Sequence, residues 1–497
     1  MLNKYKSKII LLFVLISSAV LRFVNLGYSE FQGDEIRALY LKSSGPLLEH
    51  LFTQKKGPAQ FVITFIMNEL FRLYSEFWLR VPFALVGLAC VVVLYYLVKE
   101  LYGKKAGILA ATLLSINGFF VAFSRIVQYQ SLVIFFTLLT AFFLVKLNST
   151  KSIKYMYFAS ISAGLGLLSH YDIAFASLYF FYLLGTYVYS QWKSGASLKN
   201  MFFNLFLAAF IFLLITSTFY VPFILHQSSQ NTTSYLFMRI NGADGGKKIT
   251  DTFITYLIYN PLTSFYILLS VALLSFLFSF KKSLPLILWF LPPFVMMNFY
   301  VSIPGTHIYT YVIPVIVASS LAVVSLINKI SITALKGLVI LPVIGFILLS
   351  YIQVFSIFVD HTPEYPWNTK KVLFWPVSLP DKRYHLSLFG FPYYRELEEM
   401  NKAALSRGGI VSINSNEGSK IIRYYIDLKE PFLAKYDAYL YVYGAQSHVK
   451  SKSSKVKGLE PTKVFEGPSG VLSELYLIER PEVKGVETQQ ILEEQSE

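Results

Sequence analysis

Long apolar runs broken by short polar turns recur from Ile9 to Phe358, each near the roughly 20 residues that an α-helix needs to cross a bilayer. The pattern predicts membrane helices. Ile9 to Leu26 reads as an uncleaved first helix, because the run outlasts a signal core and no small-residue cleavage site adjoins the polar stretch after it. Ser17-Ser18-Ala19 keeps a cleaved signal as the alternative. Tyr28 to Phe77 holds no clean span and reads as a loop. Within it, Asp34 to Ser43 and Pro58 to Leu73 are periodic enough for amphipathic helices along the membrane surface, the second opened by Pro58. Trp78 to Val98, Ala106 to Phe123 and a run closed by Lys146 follow as spans. Tyr155 to Trp192 is too long for one helix and breaks at Ser169-His170-Tyr171-Asp172. Met201 to Leu225, Phe253 to Phe280, Ser283 to Ser302, Ile308 to Ile327 and Gly337 to Phe358 complete roughly eleven spans. A turn signal, Asn241 to Gly246, lies in the polar loop between two of them.

Beyond Asp360 the apolar runs cease. Tyr393 to Ala404 and Gly418 to Tyr425 read as helices, and Ile410 to Ile413, Ala438 to Tyr443 and Gly470 to Ile478 as strands. After Pro481 the acidic, Gln-rich end reads as disordered. The expected fold is an all-α polytopic membrane domain over residues 1–358, with about 11 transmembrane helices plus juxtamembrane helices, and a small C-terminal α/β extracytoplasmic domain over residues 359–497.

Composition agrees: 55% of the 497 residues are hydrophobic, 15% are charged, and the mean hydropathy is +0.52. A soluble globular chain is excluded. The net charge of +15 does not point to nucleic acid, because Lys and Arg are spread through short turns rather than gathered on one face. Lys99, Lys146, Lys193, Lys281 and Lys329 mark inner turns instead, which puts the N-terminus in the cytoplasm and both the first loop, residues 28–77, and the C-terminal tail outside. The only cysteine, Cys90, lies in an apolar run, so no disulfide forms within the chain.

Charge that breaks this rule carries the candidate chemistry. Asp34 and Glu35 follow the first span directly; they either cap a short helix or place a carboxylate at a reaction site under the bilayer roof, as general base or acceptor-positioning acid. Lys55, Lys56, Arg80 and Arg125 stay on the outer side, where an anion such as a lipid phosphate would hold them; pairing with nearby Glu residues or snorkelling is the plainer reading. His170 with Asp172 reads as metal ligands or as a hydrogen-bonded helix turn.

Phe31-x-Gly-Asp34-Glu35-x-Arg37, Lys56-Gly57-Pro58, Leu79-Arg80-Val81-Pro82 and Ser124-Arg125 together resemble the GT-C glycosyltransferases, in particular the branch of protein O-mannosyltransferases and bacterial lipid A aminoarabinose transferases. The resemblance is strongest over about residues 28–135. It implies transfer of a hexosyl or pentosyl group from a polyprenyl-phosphate donor to a glycan, lipid or protein acceptor on the outer face of a bacterial inner membrane. Asp34 matches the family's catalytic acid and Lys56 its donor-phosphate residue. His307 and Tyr309 match the late loop, and with Tyr129 and His170 are secondary candidates. Gly57 stands where the family has Pro, and Gln130 where it often has an acid. No cofactor is certain; family members differ over a divalent metal. The competing reading from another class is a transporter or flippase of a lipid-linked sugar, which would favour polar residues at the midplane over the helix-end positions found here.

Overall fold

The computed structural model describes the chain except residues 1, 42–44, 55–56, 227–229, 231, 235–236, 239–249, 303, 363–369, 378–387, 430–434, 444, 446–451, 468–469 and 481–497. Lys55, Lys56, the turn at Asn241 to Gly246 and the tail after Pro481 lie outside the described residues. Two compact units emerge. The first comprises Met1–Glu30, Arg37–His361 and Asn368–Pro392; the second comprises Phe31–Ile36, Thr362–Trp367 and Tyr393–Glu497.

In the first unit, α1 (Leu2–Phe23) ends where Asn25 takes the left-handed conformation, φ 55°, which an Asn tolerates at a helix end. Helix α2 (Gly33–Ile36) belongs to the second unit. The amphipathic helix expected from Asp34 to Ser43 is therefore only this single turn, and residues 37–39 form a turn rather than more helix. After α3 (Leu47–Phe52), Pro58 opens α4 (Ala59–Phe65), which loosens into a π-helical turn over Ile66–Leu70.

The long helices follow: α5 (Glu76–Tyr102), the short α6 (Lys104–Ser115) and α7 (Gly118–Ser124), then α8 (Gln130–Thr150) and α9 (Lys154–Ser169). Helices α6 and α7 meet at 64°, with the Asn117 side chain capping α7 at the break. A 3₁₀ turn, Tyr171–Ala176, leads into α10 (Ser177–Lys193), followed by α11 (Leu198–Leu225). Beyond them lie α12 (Thr250–Tyr259), α13 (Phe265–Val295), α14 (Tyr309–Lys329) and α15 (Thr333–Phe358).

Among the described residues, seven helices are long and apolar enough to cross a membrane, or eight if the bent α6–α7 pair is one span. The roughly eleven spans expected from length and charge are not reached. The Phe253 to Phe280 span is interrupted at residues 260–264, because Pro261 lacks an N–H and forces Asn260 out of helix, and Ser264 caps a new start. Helix α13 is itself broken at Ser279, whose backbone is non-helical (φ −154°, ψ 47°), just before Lys281 and Lys282. Helix α9, at 16 residues, is short for a span.

The second unit is α/β. Helices α16 (Leu397–Ser406) and α17 (Ser419–Tyr425) accompany a sheet whose strands are numbered after a two-residue hairpin of the first unit, β1 (Lys371–Val372) with β2 (Trp375–Pro376). Strands β3 (Ile410–Ser415), β4 (Tyr436–Val442), β5 (Lys463–Gly467) and β6 (Gly470–Glu479) lie in the order β3-β4-β6-β5, with only the β3–β4 pair parallel. Helix α17 is part of the crossover that a parallel pair requires. Tyr439, Val456 and Tyr476 form one buried cluster on this sheet.

Candidate functional site

In the first unit, three buried polar residues from distant segments converge. The 3₁₀ turn after α9 buries Asp172, and the turn before α14 delivers His307 and Tyr309 to it. His307 Nδ1 lies 2.6 Å from Asp172 Oδ2, and the Tyr309 hydroxyl donates to the same oxygen at 2.7 Å. His170 caps the 3₁₀ turn: its Nδ1 accepts the Asp172 N–H at 3.2 Å and lies 3.1 Å from Asp172 Oδ1. Tyr129 stacks flat on His170, with ring centroids 3.9 Å apart and planes within 7°, and its hydroxyl is 3.5 Å from His307 Nε2. All the secondary candidates, Tyr129, His170, His307 and Tyr309, therefore meet around one carboxylate.

Asp172 is the residue that sequence reasoning undervalued. It figured only as a companion to His170, because nothing local announces a partner 135 residues away.

The loop of the Lys56 motif runs against the same turn. A Cβ on Gly57 would collide with the carbonyl oxygens of Leu168 and Ser169, so the Pro of the family pattern has no room here. Gly57 is required by this close approach. On the far side of the 3₁₀ turn, an apolar cavity of about 370 Å³ opens among α8, α9, α10 and α11, lined by Leu144, Met156, Leu167, Ile173, Ala174 and Phe212. Ile173 and Ala174 adjoin Asp172 directly.

Arg80 and Arg125 both have local partners. Arg125 donates to the carbonyls of Leu21, Val24 and Asn25 at 3.0, 2.9 and 3.2 Å. Arg80 donates to those of Leu26, Ser29 and Glu30 at 3.0, 2.7 and 3.2 Å. The end of α1 presents orphan carbonyls and the negative end of a helix dipole, which the Arg125 guanidinium meets, while Arg80 holds the carbonyls of the loop that follows. Their retention on this side needs no external phosphate. Burial, with the charges of Arg80 and Arg22, pushes the Arg125 guanidinium down from its ordinary value.

Asp34 and Glu35 lie in the second unit, on α2. Glu35 Oε2 accepts the Gln32 N–H at 3.0 Å and Gln32 Oε1 accepts the Asp34 N–H at 3.0 Å, so the turn is self-capped and the capping reading of the pair applies to Glu35. The backbone just before it is gripped on both sides: the Phe31 N–H donates to the Tyr425 hydroxyl at 2.6 Å, and Arg395 donates to the Phe31 carbonyl at 3.1 Å. Arg395 is buried and paired with Glu417 at 3.2 Å. Sequence reasoning missed Arg395, Glu417 and Tyr425; Arg395 alone carried a signal, as a charge set after an aromatic run.

Residues 55–221, about a third of the chain, match the family model described as dolichyl-phosphate-mannose-protein mannosyltransferase. Gly57, Arg80, Arg125, Tyr129, His170 and Asp172 all fall inside the matched segment. The fold is similar to that of ArnT from Cupriavidus metallidurans in the apo state, with TM-score 0.52, 13% identity, and coverage of 96% of this chain and 98% of that one. The same protein bound to undecaprenyl phosphate gives TM-score 0.51 at 13% identity, covering 94% and 97%. The apo oligosaccharyltransferase of Archaeoglobus fulgidus is a weaker likeness, TM-score 0.46 and 15% identity over 93% of this chain and 62% of that one, too low to add to the fold assignment. No curated protein sequence matches the chain significantly. The chain is an integral membrane protein that shares the fold of ArnT, and its residues 55–221 match a mannosyltransferase family model.

Proposed function

We propose that this protein transfers a sugar from a polyprenyl-phosphate donor to an acceptor on the outer face of the membrane. The observation that carries the reading is the apolar cavity of about 370 Å³ that ends beside the Asp172 turn, within the family-matched segment. A lipid-linked substrate needs an apolar groove for its tail next to a polar place for its head. The solved relative bound to undecaprenyl phosphate has the same fold, which supports a donor of that type.

Lys55 and Lys56, at the motif position, meet the donor phosphate, while Arg80 and Arg125 add positive charge and fix the end of α1. A phosphate so neutralised is a good leaving group, so an attacking hydroxyl needs only alignment and a base. Asp34 takes that role and Glu35 orients its turn. The transfer is a single displacement that inverts the anomeric centre, with no covalent glycosyl-enzyme. The N-terminus is cytoplasmic, in a bacterial inner membrane, and residues 359–497 form the extracytoplasmic domain.

Purified protein incubated with labelled polyprenyl-phosphate sugars and membrane extract should pass label to a glycan, lipid or protein product. Label that crosses a vesicle bilayer while remaining on its lipid would establish the flippase reading instead.

A further inference from the structure

The Asp172 cluster contains an electrostatic contradiction. His170 Nδ1 accepts the Asp172 N–H, so that nitrogen points a lone pair into the cluster. Asp172 Oδ1 faces it at 3.1 Å and has no hydrogen-bond partner among the described residues. Two acceptors are thus held face to face, in a carboxylate that is only 2% exposed. Something positive belongs between them. A proton on His170 Nδ1 would serve, but it would discard the Asp172 N–H bond that caps the turn. A cation on that nitrogen would take the same lone pair, so the choice between proton and metal rests on the rest of the cluster: a second imidazole, His307, turned on the same buried carboxylate.

We propose that His170, Asp172 and His307 form a binding site for a divalent transition-metal ion of the zinc class. One ligand atom from each lies within 4.8 Å of the others, a spacing that an ion with bonds of about 2 Å can bridge with small side-chain adjustments. Two imidazoles and one carboxylate suit zinc and its neighbours better than magnesium or calcium, which prefer all-oxygen sets. Supporting groups are present as well. The Tyr309 hydroxyl donates to Asp172 Oδ2 and fixes the carboxylate, and the flat stack of Tyr129 fixes the plane of His170.

Three protein ligands leave a fourth tetrahedral position open, for water or an anionic oxygen. Gly57 lies against Leu168 and Ser169, just before His170, and Ile173 and Ala174, just after Asp172, line the apolar cavity. The site is argued from the cluster alone and does not depend on the sugar-transfer reading.

The test uses the purified full-length chain, stripped with a chelator, then titrated with Zn²⁺ or Co²⁺ alone. One equivalent should bind, raise the thermal transition, and with Co²⁺ give the visible absorption of a four-coordinate ion. Asp172→Asn and His307→Gln should each weaken binding by more than the roughly 10–100-fold typical of outer-shell changes, with Tyr309→Phe inside that range. His361→Gln, outside the cluster, should bind like the parent. Where a ligand variant fails to fold, the parent decides: no stoichiometric Zn²⁺ or Co²⁺ at micromolar concentration overturns the site and assigns the cluster to a proton. Undiminished binding in folded Asp172→Asn overturns it equally.

Discussion

Gly57 lies so close to Leu168 that a single added methyl group would strike the Leu168 carbonyl oxygen. The contact ties the loop of the Lys56 motif to the turn that buries Asp172, and it turns a departure from the family pattern into a packing requirement.

Gly57→Ala should therefore cost about 1–3 kcal/mol through overpacking against backbone that cannot swing aside. Gly337→Ala in α15, where a Cβ meets nothing within 4 Å, should be neutral or slightly stabilising. Thermal unfolding of both variants in the same detergent checks the contrast, and equal transitions would remove the packing argument.

Arg125→Lys replaces a fork with a point charge, which cannot serve three carbonyls at once. Each buried carbonyl left bare costs about 1–3 kcal/mol, so the yield of monodisperse protein should fall sharply. Donor affinity of the molecules that do fold should stay near that of the parent. A selective fall in that affinity would instead assign Arg125 to the donor phosphate.

Asp34→Asn is isosteric and keeps the hydrogen bond that the Asp34 backbone N–H donates to Gln32 Oε1. Folding and donor binding should survive, while transfer falls by at least about a hundredfold, the lower range for a lost general base. Near-normal turnover, or retention of anomeric configuration in the product, would falsify the single-displacement mechanism.

The tail should be extracytoplasmic. The last span leaves from the turn marked by Lys329 and Lys336, and the positive-inside rule directs it outward. A reporter that works only in the cytoplasm, fused after Ser387, should be silent; a bright signal from intact protein would invert the topology.

Acid should loosen strand β6. Burial pushes the Glu474 carboxyl up, but hydrogen bonds from Lys452, Tyr476 and Tyr443 outweigh it and hold the group below its ordinary value. A carboxyl depressed in the folded form contributes stability in full above the unfolded value of about 4.3, and that contribution is lost as pH falls through the folded value. Hydrogen exchange of β6 amides should speed up below about pH 4 in the parent, by a margin that Glu474→Gln removes.

Much of the architecture was legible because the bilayer enforces it. Apolar length and lysine placement identify helices such as α5, α8 and α14 without any knowledge of their neighbours, and the β4 and β6 segments announce themselves by residue type. Interruptions were harder. Pro261 was visible, yet hydropathy averaged over a span hides a five-residue gap; the break at Ser279, by contrast, falls one residue before the boundary that Lys281 and Lys282 announced. At the site, His170, His307, Tyr129 and Tyr309 were each legible as polar residues at helix ends, but their common partner was not. Which carboxylate they share depends on how α9, α10 and α14 pack, and that is a property of the assembled bundle. The arginines show the converse: a charge rule singled out Arg80 and Arg125, while the carbonyls that hold them are invisible in any sequence.

The clamp on α1 also bears on how the protein is made. The carbonyls of Leu21, Val24 and Asn25 bond to a guanidinium that lies about 100 residues downstream, so α1 is synthesised well before this partner of its end. Until Arg125 is made, the Leu21 and Val24 carbonyls lack that donor, so the end of α1 and the turn after α7 are completed together.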